Sequence, residues 1–200
     1  MSRIAVMGTR TTNAEMVKDL AQLGYLRAYW ITLDVTYGLG RFWNLWRPQK
    51  LTKSDLYVEG PGVQPWDYTA LPLDDRLFDV VVFDPPYKLN GTSTGDGCSS
   101  SDADYGVTEY MPWQQRHANI CAGIAEGARV ARRTLVVKCQ DQVCSGRKRW
   151  QTREFADCGE AHGWRLADQL HVSGSRPQKG RQIHAQQDYS TALVFKRRGR

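Results

Sequence analysis

The segment from Phe78 to Phe83 constrains the fold more than any other part of this sequence, because its last four residues are all apolar. A short continuous apolar run is typical of a β-strand covered on both faces, whereas a strand with one wet face alternates apolar and polar residues. The run ends at Asp84, Pro85 and Pro86, and proline cannot continue a central strand. Two covered faces need a layer on each side, so the run predicts a sheet between helices.

Strand and helix signals alternate along the chain, which predicts an α/β fold with a mainly parallel sheet and helices on both faces. The other predicted strands are Tyr29–Leu33, Leu51–Lys53, Thr134–Val137, Arg165–Val172 and Thr191–Phe195. The predicted helices run from a cap at Asn13 to about Leu26, from Gly40 to Trp46, along the face of Ala118, Cys121, Ala122, Ala125 and Ala128, and from Arg149 to His162 before Gly163. The last two strands have no helix between them and are expected to form an antiparallel hairpin. Segments 60–65 and 90–105 are predicted loops.

A chain of 200 residues that is 41% hydrophobic is long enough for one domain with a sizeable core. We therefore predict one domain over 1–200, with a flexible tail at 196–200. The apolar N-terminal stretch is too short for a secretory signal, and no run approaches the ~20 apolar residues of a membrane span. The five scattered cysteines lack zinc-ligand spacing, which predicts reduced thiols, a cytoplasmic location and no metal.

Ligands bind at the carboxyl ends of the strands in a parallel sheet, so the residues after each predicted strand form the candidate site. Those residues are Asp34 with Gly38 and Gly40, then Asp55, Asp67, the segment Asp84–Tyr87, and Lys138. Lysine and arginine outnumber aspartate and glutamate by 27 to 21, for a net charge of +6. Such a surface attracts polyanions, which makes nucleic acid an expected partner.

The segment Asp84-Pro85-Pro86-Tyr87 contains the groups needed to activate a weakly nucleophilic amine. The lone pair of an exocyclic amine on a nucleobase is delocalised into the ring. A carboxylate and a backbone carbonyl can accept hydrogen bonds from both N–H groups of the amine and stabilise the positive charge that develops on the nitrogen. The prolines fix the position of these acceptors, and Tyr87 offers a flat face for an extruded base. A purely structural interpretation is that the segment only ends a core strand.

This segment resembles the catalytic motif of the S-adenosyl-methionine-dependent amino-methyltransferases, which methylate adenine N6 or cytosine N4. Their motif is Asp, Asn or Ser, then Pro-Pro, then Tyr, Phe or Trp. The resemblance implies catalytic roles for Asp84, Pro85, Pro86 and Tyr87. It also implies a single Rossmann-like methyltransferase domain, with a mainly parallel seven-stranded sheet, a C-terminal antiparallel hairpin and no metal.

The segment from Asp34 to Gly40 resembles the cofactor motif of the same family, Asp-Pro-Phe-x-Gly-x-Gly, except that Val35 and Thr36 replace Pro and Phe. The resemblance implies S-adenosyl-methionine as the cofactor, with Asp55 at its ribose hydroxyls. The implied cofactor-binding residues are Asp34, Thr36, Tyr37, Gly38, Gly40, Asp55, Asp67 and Tyr68. A glycine turn after a strand also occurs for packing alone, and an acid in a polar loop is often only solvated.

The family often carries a large recognition insertion, for which this chain has no room. Substrate recognition is therefore expected from the basic loops 88–105, 140–150 and 173–188. The candidate substrate-binding residues are Lys88, Lys138, Arg147, Lys148, Arg176 and Arg181. Basic runs are also common on solvated surfaces, but Lys138 differs because it ends a buried strand.

The resemblance implies adenine N6 in DNA as the target, because an aspartate rather than a serine at position 84 is typical in that family of N6 over cytosine N4. Cytosine N4, RNA and a protein amide are the alternative substrates, and aspartate in place of asparagine speaks against the amide. A non-catalytic nucleic-acid-binding subunit is an alternative of another class. Intact Gly38, Gly40 and Asp84 count against that alternative, whereas Val35 and Thr36 in the cofactor motif count for it.

Overall fold

The computed structural model describes residues 10–89, 111–174, 184–185 and 187–198. Within these ranges the strands are β1 (Ile31–Asp34), β2 (Lys50–Ser54), β3 (Val63–Gln64), β4 (Phe78–Phe83), β5 (Ala131–Cys139), β6 (Gln142–Cys144), β7 (Arg147–Arg149), β8 (Trp164–Ser173) and β9 (Tyr189–Arg197). The α-helices are α1 (Asn13–Gln22), α2 (Trp113–Val130) and α3 (Gln151–Ala161), and a short 3-10 helix spans Arg41–Trp43.

Seven strands form one sheet in the order β3-β2-β1-β4-β5-β9-β8. The first five in this order pair in parallel, whereas β9 is antiparallel to both β5 and β8. The predicted α/β fold, its mainly parallel sheet and its closing antiparallel pair are therefore confirmed. β6 and β7 form a separate antiparallel hairpin between β5 and α3.

The central strand β4 has the bounds that its apolar run predicts, and all six of its residues are buried. Alternate side chains of a strand point to opposite faces. Val80 and Val82 pack in the core that α1 covers, whereas Val81 and Phe83 pack in the core that α2 and α3 cover. Because β4 lies between β1 and β5, its carboxyl end opens between the glycine turn that follows β1 and Lys138 at the end of β5.

Helix α1 begins one residue earlier and ends sooner than its sequence pattern predicts. Its N-cap is Thr12 rather than Asn13, and Thr12 and Glu15 form a capping box in which each side chain bonds the other's backbone amide. The helix ends at Gln22 rather than near Leu26, because Gly24 takes the left-handed conformation at φ 79°.

Helix α2 buries a face that is rotated from the alanine face predicted, although Ala128 of the predicted face is buried and Cys121 packs against the core. Its inward residues include Ile120, Gly123 and Ile124, whereas Ala118 is exposed. Gly123 lets the helix approach β4 closely, since a Cβ at this position would lie 2.5 Å from Cζ of Phe83. The spacing of the alanines did not predict this face, because glycine adds nothing to a hydrophobic pattern. Glycine nevertheless allows the helix to approach the sheet most closely.

Several predicted boundaries are corrected by local contacts. Val63–Gln64 in the predicted loop 60–65 is an edge strand on β2, and the predicted helix over 40–46 is only the 3-10 turn that follows left-handed Gly40. The predicted tail at 196–200 overlaps β9, where Lys196 pairs with Thr134 of β5. The predicted loop 90–105 lies outside the described residues.

None of the helices in the described ranges is long and apolar enough to cross a membrane. Among the same residues, no group of three or more histidine, cysteine or acidic side chains is arranged to hold a metal ion.

Candidate active site

The carboxyl ends of β1 and β4 are adjacent, and one threonine joins the turns that follow them. The backbone amide of Asp84 donates to the hydroxyl of Thr36 over 2.7 Å, and the amide of Thr36 donates to Oδ1 of Asp34 over 3.0 Å. The glycine turn and the Asp84 segment are thus one hydrogen-bonded unit. Thr36 is one of the two residues that depart from the family's cofactor motif, and its hydroxyl makes this link.

Asp34 holds the shape of the turn with both of its carboxylate oxygens. Oδ2 accepts from Nε1 of Trp43 over 2.7 Å, in addition to the bond from Thr36. Burial raises the pKa of Asp34 to about 7, although the two donated hydrogen bonds oppose the shift and the nearby carboxyls of Asp84 and Asp55 add to it. Asp34 therefore supports the turn from within, and its proton is held far more tightly than that of an exposed aspartate.

The glycine turn needs glycine at position 40. Gly40 has a left-handed φ of 71°, and a Cβ there would lie 2.5 Å from the hydroxyl oxygen of Tyr37. Gly38 is also left-handed, at φ 52°, and its amide donates to Oδ2 of Asp55 over 2.8 Å. The second oxygen of Asp55 accepts from the amides of Tyr57 and Val58. Asp55 therefore joins the turn after β2 to the turn after β1.

Asp67 and Tyr68 lie further along, after the edge strand β3. The carboxylate of Asp67 accepts from the backbone amide and the hydroxyl of Thr69, which closes a local turn. Tyr68 packs against Phe83 with ring centroids 4.9 Å apart, and burial raises its pKa to about 12. The side chain of Tyr68 thus belongs to the packing between β4 and α2.

Asp84 and Lys138 form a buried charged pair at the centre of the site. The side chains of both residues are nearly inaccessible, and Nζ of Lys138 lies 3.9 Å from Oδ1 of Asp84. The ammonium also lies 5.8 Å from the ring centroids of Phe42 and Tyr87. Burial raises the pKa of Asp84, and the positive charge of Lys138 opposes that shift. Lys138 therefore acts on the ionisation of Asp84, in a position that sequence analysis assigned to substrate.

Two buried polar side chains that the sequence analysis did not single out lie behind the site, and one of them, Gln151, bonds the Asp84 segment directly. Nε2 of Gln151 donates to the carbonyl of Tyr87 over 3.0 Å and to the carbonyl of Gln140 over 2.6 Å. Asp141 accepts from the amide of Thr152 over 2.8 Å, at the start of α3. A polar residue at the first position of a helix gives little signal, because caps and solvated surfaces share that pattern.

The β6–β7 hairpin brings positive charge beside the site. The hairpin begins just after Gln140 and ends just before Gln151, and the side chain of Gln151 donates to the carbonyl of Gln140. Its turn is Ser145-Gly146, with φ values of 52° and 72°, as in the primed two-residue turns of hairpins. The predicted substrate residues Arg147 and Lys148 lie on its returning strand β7.

Aromatic side chains stack on the cations of this hairpin. The guanidinium of Arg149 lies 3.8 Å from the ring centroid of Trp113, and Nζ of Lys148 lies 5.3 Å from that of the exposed Trp150. Lys148 also donates to the carbonyl of Ala185 over 3.1 Å. Lys88 directly follows the Asp84 segment, whereas the predicted substrate residues Arg176 and Arg181 lie outside the described residues.

Comparison with known proteins identifies the fold. No protein-family model and no curated protein sequence matches the chain. Among solved structures, a magnesium protoporphyrin IX methyltransferase from Synechocystis PCC 6803 with bound SAH is similar, with 14% identity, a TM-score of 0.58, and coverage of 93% of this chain and 81% of that chain.

Two further structures share the same framework. A 1,6-didemethyltoxoflavin-N1-methyltransferase from Burkholderia thailandensis, with bound 1,6-didemethyltoxoflavin and S-adenosylhomocysteine, has 14% identity, a TM-score of 0.51, and covers 92% of this chain and 76% of that chain. The [4+2]-cyclase SpnF has 14% identity and a TM-score of 0.53, over 92% of this chain and 81% of that chain. The chain therefore has the Rossmann-like methyltransferase fold. At these identities the similarity defines the fold and leaves the reaction to be argued from the site.

Proposed function

We propose that the protein transfers a methyl group from S-adenosyl-methionine to an exocyclic amine of a nucleobase, with adenine N6 in DNA as the target. The observation that carries this proposal is the buried carboxyl of Asp84, linked through Thr36 to the glycine turn after β1. Two of the structural neighbours described above are named as methyltransferases and were crystallised with SAH or S-adenosylhomocysteine.

The residues of the turn fit a cofactor that carries a sulfonium cation. Three acidic side chains, Asp34, Asp55 and Asp84, are close enough that the first feels the charges of the other two. No side chain covers the backbone at left-handed Gly38, so that a ligand can approach it there, whereas the Tyr37 ring lies against left-handed Gly40. When bound, the cofactor supplies an electrophilic methyl group. Gly38, Gly40 and Asp55 would hold it, with Tyr37 beside them and Asp67 further along.

The Asp84 segment supplies the groups that a target amine requires. The carboxylate of Asp84 accepts a hydrogen bond from an N–H group of the amine. This bond localises the amine lone pair on the nitrogen instead of in the ring. Lys138 favours the ionised carboxylate that this role needs, while burial makes that carboxylate more basic than an exposed one. Asp84 can therefore also take the proton that the amine loses. Pro85 and Pro86 hold the segment rigid, and Tyr87 stacks on the base.

The basic hairpin supports nucleic acid as the substrate. Arg147 and Lys148 lie on a hairpin whose base is tied to Tyr87 through Gln151. Trp113 and Trp150 stack on neighbouring cations, a combination that suits phosphates and exposed bases. We propose phosphate contacts for Arg147, Lys148, Lys88, Arg176 and Arg181. We assign Lys138 instead to Asp84, the side chain that accepts a hydrogen bond from the target amine.

The test is incubation with methyl-labelled cofactor and separate samples of duplex DNA, single-stranded DNA and RNA, followed by nucleoside analysis. We expect N6-methyladenine from DNA. Asp84→Ala should reduce labelling at least 100-fold and leave cofactor binding, measured by calorimetry, largely intact. Asp157→Ala, at an exposed position of α3, is the matched control and should retain full activity.

Each other result has a defined meaning. Label found only in N4-methylcytosine, in RNA or in protein would refute the substrate assignment but retain methyl transfer. Absence of cofactor binding to the wild-type chain would refute the enzyme and leave a nucleic-acid-binding subunit with this fold.

A further inference from the structure

Two thiols from separate helices meet on the side of the sheet that carries α2 and α3. Sγ of Cys121 in α2 lies 2.9 Å from Sγ of Cys158 in α3, although the residues are 37 positions apart in the chain. Both side chains are partly exposed, so a small solute can reach them. Sulfur atoms at this distance need only a small further approach to reach the bond length of a disulfide, about 2.05 Å.

The two thiols differ in acidity, which assigns their roles. The hydrogen bond donated by the Cys121 thiol lowers the pKa of Cys158, although burial and the nearby carboxylates of Asp157 and Glu154 oppose the shift. The same hydrogen bond, together with burial, raises the pKa of Cys121. Cys158 therefore ionises more readily than Cys121, and the thiolate is the reactive form of cysteine.

The ring of His117 lies beside Cys121, where it can accept the proton of that thiol. Nδ1 of His117 lies 3.8 Å from Sγ of Cys121, and Nε2 of the same ring lies 2.7 Å from Oε2 of Glu154. The negative charge of Glu154 favours a proton on Nε2, which leaves Nδ1 as the acceptor that faces the thiol.

We propose that Cys121 and Cys158 are a modification site at which a peroxide forms an intramolecular disulfide between α2 and α3. The Cys158 thiolate attacks one oxygen of hydrogen peroxide, the O–O bond breaks, and hydroxide leaves and is protonated to water. The sulfenic acid formed on Cys158 is then attacked by the sulfur of Cys121, whose proton passes to His117. The S–O bond breaks as the S–S bond forms, and the second hydroxide becomes water. Two thiols are oxidised by two electrons, and the peroxide is reduced to two waters.

The other described cysteines lack these properties. Cys139 is fully buried, and burial raises its pKa to about 12. Cys144 is also buried, and its contact is with the hydroxyl of Ser145 rather than with a second thiol. Oxidation should therefore be selective for the pair among the residues that the structure describes. Cys98 lies outside them and is replaced by serine in the experiment below.

The experiment treats full-length Cys98→Ser protein with equimolar hydrogen peroxide, blocks free thiols with N-ethylmaleimide and maps the peptides by mass spectrometry. We expect a Cys121–Cys158 cross-linked peptide, two hydrogens lighter than the reduced pair, that dithiothreitol reverses. Closing a loop of this length should raise Tm by about 5 °C or more in the oxidised protein.

Three variants in the same background separate the roles. Cys121→Ser should accumulate a sulfenic acid on Cys158 that a dimedone probe captures, whereas Cys158→Ser should capture at least 10-fold less probe on Cys121. Cys144→Ser is the matched control and should cross-link like the parent. No cross-linked peptide in the parent, or dimedone capture first on Cys121, would overturn the proposal. The proposal does not rest on methyl transfer, so each can fail without the other.

Discussion

Lys138 places a positive charge beside Asp84 that favours its ionised form against the effect of burial. A carboxyl that is removed from water favours its neutral form, and a cation about 4 Å away restores the charged form. Lys138 can oppose the effect of burial because its Nζ lies only 3.9 Å from Oδ1 of Asp84. In the proposed reaction the carboxylate must be ionised to stabilise the developing positive charge and to take the proton, so the balance between burial and Lys138 sets the lower pH limit of activity.

Lys138→Met should therefore move the acidic limb of the pH–rate profile to higher pH by about 1–2 units. The pKa of Asp84 is already raised by burial, and removal of the opposing charge raises it further. Lys138→Arg keeps the charge and should retain a limb near that of the wild type. Methyl transfer measured from pH 5 to 9 checks this. An unchanged limb in Lys138→Met would show that Lys138 does not control Asp84.

At the residue scale, the sequence predicts functional residues that lie next to one another in a recognisable motif. Asp84 and its two prolines stand out as a local motif, and Gly40 stands out because few residues other than glycine accept a left-handed turn. Thr36, Gln151 and the Asp84–Lys138 pair depend on contacts between segments far apart in the chain. Such contacts carry no local pattern, so sequence reasoning found the residues of the motif but not the network that supports it.

At the scale of elements, the β6–β7 hairpin stands between β5 and α3 at the edge of the site. Its position is fixed at both ends, because Gln151 donates to the carbonyl of Gln140 and to that of Tyr87. A phosphate bound by the hairpin would therefore lie in a defined relation to Tyr87. Sequence analysis predicted the charges of this segment, but read it as a loop, because strands of three residues each are too short to produce a clear alternation.

Arg147→Gln combined with Lys148→Gln should weaken DNA binding and reduce the slope of log K against log salt by about 2, since each phosphate contact contributes roughly one released counterion. Fluorescence anisotropy with a labelled duplex at several salt concentrations measures both quantities. Lys18→Gln combined with Lys50→Gln removes two exposed cations elsewhere and is the matched control. Equal losses in the two double variants would mean that the hairpin makes no specific contribution.

At the scale of the whole molecule, the sheet separates two cores and gathers the candidate residues at one edge. Alternation of strand and helix signals predicted the parallel part of the sheet, and the missing helix between the last two strands predicted the closing antiparallel pair, whereas the order of the strands was not predicted. The edge strand β3 was missed because two residues between glycines and prolines carry no strand signal. The buried face of α2 was wrong for a packing reason, since Gly123 fits against Phe83 where alanine would not.

The stability of the whole fold should depend on the ionisation of Asp34. Its folded pKa of about 7 lies above its ordinary value of 3.8, so the folded chain holds this proton more tightly than the unfolded chain. Between these two pH values the folded state binds more protons, and the free energy of unfolding falls as pH rises. The contribution of Asp34 is greatest below about pH 4 and is lost by about pH 7.

Asp34→Asn removes this titration but also loses one of the two hydrogen bonds that the carboxylate accepts. The stability of the wild type relative to Asp34→Asn should therefore decline by roughly 2–4 kcal/mol between pH 4 and pH 7. Denaturant unfolding at several pH values measures the difference, with Asp157→Asn as an exposed control. A difference that stays constant with pH would contradict the assigned shift.

The hydroxyl of Thr36 has a consequence for how the two halves of the site move. It accepts the amide of Asp84 while its own amide is held by Asp34, and the backbone amide of Val35 donates to the carbonyl of Val82 beside it, so a side chain and the sheet together join the two turns. Replacing that oxygen with a methyl group would remove this link and leave the backbone pairing of β1 with β4 in place. Misplacement by about 1 Å can slow a reaction 100-fold, so the link bears on the alignment of donor and acceptor.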